Sequence, residues 1–570
     1  MSNQTLADTL QPVELAEGVT VHIRVAGPTV RCLAWLIDLL VTILVYVVAS
    51  IVLGMMGIFT DQSAIIVGVM LLAMFLFNWF YNVFFEMGKH AATPGQRSMG
   101  LKVTAASGAP VRLPQSLIRN LLRTIDFMPA CYLTGLVSCL STRRFQRLGD
   151  LVADTVVVYA EERRKMVTPE FQVNVESAPP PVALSREEQA ALLQFLERAP
   201  GWSDARRLEL ADVVQPLTRA PGAAGLRRLC GMGLWLMGRS GGAAAGMNAT
   251  EFERENDHRW QRYESVLDEL AKGKNLEDTE RLPTLFRQIC HDLSVARHRM
   301  YGPKLVERLN ALALGGYREL ERRVSMGGER AWRLLAVDFP QAVREEWRLF
   351  WLSSLLFWGP FLLLLFYTPH EPEWAMRLLG SEGMLQMEAM YGEGTSPQDY
   401  MRKEFGSNFA MFAFYIFNNV GIGLRTFASG LAFGIGAIFT LLFNGLYIGA
   451  AAGYVQHACN PETFWSFVSG HSAPELLGIV ISGAAGMRMG FAILNPRSYS
   501  RRTALVVAGR RALVLLLGAV FLISCAAVIE GFWSATPTPP WMRYTVGAGV
   551  WLAVVSYLLL AGRRAAGDEA

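Results

Sequence analysis

Five polar side chains in the last third of the chain lie within or at the edge of long apolar stretches: Asn418, Asn419, Asn444, Glu475 and Glu530. An amide or carboxylate in a bilayer is costly unless it has a partner, so such residues usually face a bundle interior or a water-filled cavity. Two kinds of chemistry fit them: hydrogen bonding between helices, and the passage of an ion or small solute. Glu530 is expected to pair with His471 or Arg543.

A second set of charged residues lies near the N-terminus. Arg31 and Asp38 are seven residues apart in the first apolar stretch, so on a helix they share a face, with Asp38 about 10 Å deeper. A carboxylate at depth costs about 2.5–3.5 kcal/mol on insertion scales, and a partner relieves that cost. We expect the partner to be Arg31, Arg119, Arg123 or Arg147. A structural ion pair is favoured, and an ion or proton path is the alternative.

Small residues recur every four positions in several apolar stretches, which lets helices approach closely. The predicted packing positions are Gly430, Gly434, Gly445, Gly449, Gly453, Gly486 and Gly490. Helix packing is favoured over a pore lining, with the asparagines as hydrogen-bonding partners between helices. Arg488 lies within one of these stretches and needs an acidic or carbonyl partner.

The elements that must position these residues follow from hydropathy. The chain has 570 residues, 52% of them hydrophobic, and one bilayer crossing takes about 20 apolar residues. The predicted spans are Thr29–Gly54, Ser63–Met87, Phe350–Tyr367, Phe409–Leu424, Phe427–Tyr454, Pro474–Leu494, Leu513–Trp533 and Trp541–Ala561. The predicted fold class is mostly α: a polytopic α-helical integral membrane protein with a cytoplasmic helical insert and a small cytoplasmic β element.

The remaining segments are shorter or more polar. Alternating apolar residues at Val19–Val25 and short apolar runs at Leu101–Val103 and Thr155–Tyr159 predict strands of a small sheet at the membrane surface. The segment Ser116–Leu140 has only about 14 apolar residues, too few to span, so we predict a half-inserted or re-entrant helix pair. Residues 160–345 are rich in Arg and Glu and predict a soluble helical region.

Charge in the loops predicts the orientation, because basic loops face the cytoplasm. The loop Pro369–Glu404 carries seven acidic and three basic residues and is assigned to the outside. The Arg-rich segment 497–511 and the basic C-terminal end are assigned to the inside. We therefore expect a multi-pass protein of the bacterial cytoplasmic (inner) membrane with both termini in the cytoplasm.

Four regions are predicted: 1–160 and 348–570 as membrane domains, 161–246 as a cytoplasmic helical extension with a linker, and 247–347 as a cytoplasmic helical bundle. The Gly/Ala linker Gly241–Gly246 suggests that two once-separate modules were joined. Few obligatory contacts are expected to cross such a linker, so the two modules are expected to insert and fold independently and to be able to re-associate through their membrane helices.

Three motifs follow one another in the first region: Arg31-Cys-Leu-Ala-Trp-Leu-Ile-Asp38, Thr93-Pro-Gly-Gln-Arg-Ser-Met-Gly-Leu101, and Arg147-Leu-Gly-Asp150 with Asp154-Thr155. In this order they resemble the RDD family, which is named for one Arg and two Asp. These correspond to Arg31, Asp38 and Asp150. The resemblance covers about residues 15–160 and implies a membrane domain, for which transport of ions or metabolites has been suggested in some members.

From Met247 onward the chain resembles the stage II sporulation protein M family. The matching pieces include Phe286-Arg287, Asp292-Leu293, Asn418-Asn419, Asn444-Gly445, Glu475, Gly483-Ala-Ala-Gly486 and Glu530-Gly-Phe532. The resemblance implies a membrane protein of an envelope complex. Relatives in non-sporulating bacteria lie beside genes for MoxR-type ATPases and von Willebrand A-domain proteins, so the resemblance implies these as partners.

Other functions find little support in the sequence. His291 and His298 are seven residues apart without a third ligand in view, so no metal site and no cofactor is predicted. No nucleophile–base arrangement is recognised, so no catalytic residue is assigned. The seven cysteines are scattered and contain no CxxC, and the net charge of +4 is too modest to indicate nucleic acid.

The working hypothesis is a non-enzymatic scaffold or anchor in the lipid bilayer, whose cytoplasmic helices dock a soluble partner. The alternative from a different class is an ion or small-solute transporter that uses the intramembrane Arg, Asp and Asn residues. An enzyme acting on envelope lipid or glycan is a weaker third hypothesis. The oligomeric state is left open.

Overall fold

A computed structural model describes most of the chain. The described residues are 9–14, 20–59, 63–127, 132–160, 175, 178–182, 184–199, 202–236, 249–271, 282–299, 301–322 and 328–563. In these described ranges the fold is mostly α-helical, with two small antiparallel sheets and seven helices that are long and apolar enough to cross a membrane. The predicted fold class is confirmed.

The N-terminal part contains β1 (Leu10–Glu14), β2 (Thr20–Arg24), α1 (Pro28–Phe59), α2 (Ser63–Glu86), α3 (Pro94–Ser98), β3 (Leu101–Ala105), α4 (Leu113–Leu121), α5 (Arg123–Asp126), α6 (Leu133–Ser141), α7 (Leu148–Ala153) and β4 (Thr155–Tyr159). The helices of the predicted soluble region are α8 (Arg186–Arg198), α9 (Asp204–Val213), α10 (Gln215–Thr218), α11 (Gly222–Leu236), α12 (Ala249–Ala271), α13 (Leu282–His298), α14 (Pro303–Arg322) and α15 (Gly328–Arg333). The segment 116–140 thus contains short helices, and none of them is long enough to span.

The C-terminal part contains α16 (Phe339–Glu345), α17 (Trp347–Tyr367), α18 (Glu373–Tyr391), α19 (Pro397–Phe405), α20 (Asn408–Tyr415), α21 (Gly421–Ser429), α22 (Ile435–Ala458), α23 (Pro461–Ser469), α24 (Ser472–Leu494), α25 (Arg501–Val528) and α26 (Pro540–Leu560). Three π-helical turns interrupt or extend these helices: π1 (Leu334–Asp338), π2 (Ile416–Val420) and π3 (Ile529–Trp533).

The two sheets connect the first membrane helix to the soluble helices. Val25 bridges to Val158, which joins the β1–β2 hairpin to the β3–β4 pair. Successive side chains of β4 point to opposite faces. Val156 and Val158 pack against α12–α14, whereas Val157 packs with Ala34 of α1. We call this side of the membrane region the sheet side and the opposite side the far side.

The helix 408–429, formed by α20, π2 and α21, is not among the seven apolar candidates, yet its neighbours require it to cross. Gly445 lies against the backbone of Phe357, and Gly453 lies against that of Leu364, so α22 runs parallel to α17. The chain between two parallel spans must return across the membrane. Both ends of α18 lie on the far side, because α18 follows α17 directly and Tyr391 accepts a hydrogen bond from the backbone of Asn460. Helix 408–429 therefore makes the return crossing, as predicted for Phe409–Leu424.

This arrangement places Pro369–Glu404 on the far side and puts β1 and the end of α26 on the sheet side. The predicted span Phe427–Tyr454 begins later than expected, at Ile435, after a turn in which Gly434 has a φ of 84°. That left-handed conformation favours glycine.

The two membrane modules are joined by contacts between their helices that the linker did not indicate. Phe75 of α2 and Ile118 of α4 belong to the same hydrophobic core as Phe427 of α21 and Leu516 of α25. A Cβ at Gly509 would lie 2.5 Å from Val152 of α7. The linker Gly241–Gly246 lies outside the described residues. A linker does not prevent the membrane helices on either side of it from packing against each other. The modules share one core.

Candidate functional site

Three arginines and three carboxylates form a buried network on the sheet side of the N-terminal module. Asp150 lies 2.6 Å from Arg31, 3.1 Å from Arg119 and 3.7 Å from Arg147. Arg119 also lies 3.0 Å from Glu86 at the end of α2. Asp150 is in the first turn of α7 and accepts the backbone N–H of Arg147, so the helix start fixes the carboxylate among the guanidinium groups.

Burial shapes the titration of this network. Burial acts to raise the pKa of Asp150, but the guanidinium groups of Arg31, Arg119 and Arg147 outweigh it and hold that pKa below its usual range. Asp126 has fewer compensating contacts, with Arg147 at 3.8 Å, and burial raises its pKa to about 6. The arrangement is a set of mutually compensated charges that joins α1, α2, α4 and α7.

Among the described residues, Asp38 pairs with no arginine, so the expected partner was wrong. Its carboxylate accepts hydrogen bonds from Tyr81 Oη at 3.1 Å, Thr93 Oγ1 at 2.5 Å and the backbone N–H of Gly95 at 2.8 Å. The Thr-Pro-Gly-Gln motif explains this geometry, because Thr93 caps α3 and the missing side chain of Gly95 admits α1. A Cβ there would lie 2.1 Å from the carbonyl oxygen of Ala34.

The four candidate arginines have other partners. Arg31, Arg119 and Arg147 belong to the Asp150 network, and Arg123 donates to the carbonyl oxygen of Asn78 at 3.0 Å. Sequence reasoning missed Glu86 as a member of this network. The sequence did contain an indication of this role, because Glu86 is an acidic residue at the end of an apolar span, where a carboxylate needs a cationic partner.

A second cluster lies at the far side of the C-terminal module. Glu530 on π3 lies 3.5 Å from Nε2 of His471 and accepts a hydrogen bond from Asn419 at 3.2 Å. Asn418 donates to Asn419 at 2.8 Å. The ligand atoms of His471, Glu475 and Glu530 all lie within 4.8 Å of one another. Both π2 and π3 contribute, and such turns occur frequently at functional sites.

Of the two partners expected for Glu530, the structure places His471 beside it and Arg543 elsewhere. The guanidinium of Arg543 donates to the carbonyl oxygens of Ser534, Thr536 and Thr538. Arg543 therefore ties down the loop after π3 and leaves the carboxylates of the far-side cluster without a guanidinium partner.

The third asparagine lies apart from this cluster. Asn444 donates to the carbonyl oxygen of Thr440 on its own helix at 2.7 Å, so the expectation of a bond between helices is wrong for this residue. Asn444 instead lines a cavity of about 690 Å³ with Asn418, Arg425 and Thr124. This cavity lies between the two membrane modules. Its wall combines α5 with α21 and α22.

The remaining predicted residues lie in helix contacts. Arg488 pairs with Glu346 at 2.7 Å, which supplies the acidic partner that it needs. A Cβ at Gly490 would lie 2.0 Å from the backbone nitrogen of Gly434, and one at Gly430 would lie 2.4 Å from Cα of Gly486. The glycine positions thus let helix backbones touch, which matches the packing interpretation and leaves no channel along these ridges.

The fold and these sites define a polytopic α-helical membrane protein with two membrane modules and a helical region between them. Residues 25–154 match the RDD family, and residues 351–535 match the family described as stage II sporulation protein M. The recognition made from the motifs is confirmed for both. Residues 250–322 match a domain of unknown function (DUF8413), so α12–α14 lie outside the sporulation-family match. Neither a curated protein nor a solved structure matches the chain.

Proposed function

We propose that this protein is a non-enzymatic scaffold of the bacterial cytoplasmic membrane, with both termini and α12–α14 in the cytoplasm. The observation that carries the proposal is the rigid attachment of the soluble helices to the membrane module. Asn310 of α14 accepts the backbone N–H of His22 at 3.0 Å and donates to its carbonyl oxygen at 3.2 Å. Arg297 of α13 donates to the carbonyl oxygen of Thr20. A partner bound to these helices would be held at a fixed position above the membrane.

The charged network supports the same function. The side chain of Arg119 is 0% exposed and that of Asp150 is 1% exposed, and each is neutralised by its neighbours. A transport path needs charged groups that exchange partners with a passing ion, whereas a compensated buried network stiffens the structure. The network therefore supports a structural role for the Arg and Asp motifs that carry the RDD resemblance.

The solvent-facing side of α12 is the docking surface in this proposal. Glu255, His258 and Gln261 are exposed on α12. A MoxR-type ATPase or a von Willebrand A-domain protein, the partners implied by the family resemblance, would bind there. The test is co-purification of the full-length protein with such a protein encoded beside it. We expect a stoichiometric complex that the double substitution Glu255→Arg/Gln261→Arg abolishes.

The matched control is Glu382→Arg, an exposed charge reversal on α18 at the far side. It should leave the complex intact. Equal recovery of the partner with the α12 variant and the control would refute α12 as the docking surface. Failure of every neighbouring soluble protein to bind would refute the scaffold itself.

The cavity between the modules favours one second candidate, a transporter of small anions. Arg425 is exposed to this cavity and forms no salt bridge with a described acidic residue, while Asn418 and Asn444 supply polar surface beside it. Protein reconstituted in liposomes should then carry an anion flux that Arg425→Gln abolishes. Absence of flux above empty liposomes, together with a stoichiometric soluble partner, would decide for the scaffold.

A further inference from the structure

His471, Glu475 and Glu530 form a convergent set of ligand atoms at the far side of the membrane region. One imidazole nitrogen and two carboxylate oxygens lie within 4.8 Å of one another. His471 and Glu475 are four residues apart around the start of α24, so they lie on the same face one turn apart. Glu530 reaches them from π3 at the end of α25. Two separate helices therefore bring the three groups together.

In the part of the chain that the structure describes, His471 is the only basic side chain that pairs with a carboxylate of this cluster. His471 and Glu530 are each 4% exposed, and buried carboxylates are costly unless they are paired with a cation or coordinate a metal. Arg543, a cationic side chain close by in the sequence, is committed to backbone carbonyl oxygens. Among the described residues, no hydrogen bond to the carboxylate of Glu475 is found. Glu475 is partly exposed.

The surrounding residues hold the ligands as they do in metal sites. A metal-binding histidine usually hydrogen-bonds through its other ring nitrogen, and metal-binding carboxylates are themselves hydrogen-bonded. Nδ1 of His471 lies 3.5 Å from Oγ of Ser534, which leaves Nε2 to face Glu530. Asn419 donates to one oxygen of Glu530, and Asn418 in turn donates to Asn419. These contacts orient the ligand atoms towards one another.

We propose that His471, Glu475 and Glu530 bind one divalent transition-metal ion of the zinc class. A set of one imidazole and two carboxylates suits such ions, whereas Mg²⁺ and Ca²⁺ prefer oxygen ligands alone. Bonds of about 2.0–2.2 Å require the ligand atoms to close in from their present separation, which side-chain rotations allow. Three protein ligands leave a fourth position for water or for a group from a partner.

The ion would connect α24 to π3 and so fix the far-side ends of two membrane helices. This inference is independent of the scaffold proposal, because it concerns the far side and needs no soluble partner. A site with an open coordination position on this side would also be accessible to envelope components, whereas the docking surface on α12 would not.

The test is metal binding by the full-length protein in detergent micelles. The protein is stripped with a chelator, dialysed into metal-free buffer, and titrated with Zn²⁺. Bound metal is measured by elemental analysis, and Co²⁺ substitution is followed by its visible absorption. We expect one tightly bound ion per chain, at least a tenfold loss of affinity in Glu475→Gln and Glu530→Gln, and a loss of 10–100-fold in Asn419→Ala, of the order seen when ligand-supporting contacts are removed.

The matched control is Glu462→Gln, which changes an exposed carboxylate at the start of α23 on the same side. It should bind like the wild type. Only variants that elute as the wild type on size-exclusion chromatography are compared. Glu475 is partly exposed, so of the three ligands it is the one whose substitution the fold accommodates most easily. Less than half an equivalent bound to the wild type, or wild-type affinity in Glu475→Gln, would overturn the proposal.

Discussion

Removal of Arg119 is the most informative single change to the N-terminal network, because this side chain joins two carboxylates. In Arg119→Met, Asp150 keeps Arg31 at 2.6 Å and Arg147 at 3.7 Å. Glu86 loses the cation at 3.0 Å and keeps only neutral donors, Ser116 at 2.7 Å and Asn120 at 3.0 Å. A buried carboxylate stripped of its cation typically destabilises a protein by about 3–5 kcal/mol.

The size of this loss follows from an uncompensated charge, so a second substitution should relieve it. Neutralising the stranded carboxylate in Arg119→Met/Glu86→Gln should recover most of the loss, because an entire buried ion pair can often be replaced at little cost. Arg123→Met is the control: its guanidinium donates to the carbonyl oxygen of Asn78, and its loss should cost about 1 kcal/mol.

The assay is equilibrium unfolding in mixed detergent micelles, followed by tryptophan fluorescence. The four proteins compared are the wild type, Arg119→Met, Arg119→Met/Glu86→Gln and Arg123→Met. The reasoning would be refuted if Arg119→Met were no less stable than Arg123→Met. It would equally be refuted if the double variant were as unstable as Arg119→Met, since the cost would then come from packing and not from charge.

Three further predictions follow from particular contacts. Asp38→Asn should destabilise the protein by about 1–3 kcal/mol in the same unfolding assay, because an amide cannot accept hydrogen bonds from all three of the donors Tyr81, Thr93 and Gly95. Wild-type stability of this variant would contradict the prediction. Gly490→Ala should lower stability by about 1–3 kcal/mol, because the added methyl group forces two helix backbones apart. The control Gly549→Ala, with open space around the residue, should change stability little. Equal effects of the two substitutions would contradict the close packing. The fragment 247–570 should accumulate in membranes only when 1–240 is co-expressed, because the modules share a core; immunoblotting that shows it stable alone would contradict this.

The sequence was sufficient for the membrane helices but not for the partners of their charges. Long apolar runs predict spans because their length matches the bilayer, and even the weak span at 408–429 was recognised. The partner of Asp38 was not predictable by spacing, because it depends on how the chain folds back from α2 to α3. Likewise, Arg31 and Asp150 are 119 residues apart in sequence and meet only after α1 and α7 have packed together.

The contacts between the modules were missed for a different reason. A Gly/Ala linker with a new helix start indicates that two segments were joined, but it carries no information on the surfaces that the segments present to each other. Val152 of α7 and Gly509 of α25 fit together because one of them has no side chain. Asp154 and Arg502 form an ion pair at 2.7 Å across the same boundary. Such complementarity is a property of pairs of surfaces, which a pass along one chain does not reveal.

The far-side cluster shows why regular helical periodicity would not have placed its members. Asn418 and Asn419 are adjacent, and on a regular helix adjacent residues point about 100° apart. The π-helical turn at Ile416–Val420 contains Asn419 and the one at Ile529–Trp533 contains Glu530, and the second turn packs against α20, with Gly531 against Phe412. The contact between Asn419 and Glu530 is therefore produced by two matched irregularities. Replacing either turn with regular helix would rotate one partner away, so the cluster depends on backbone geometry as much as on its polar side chains.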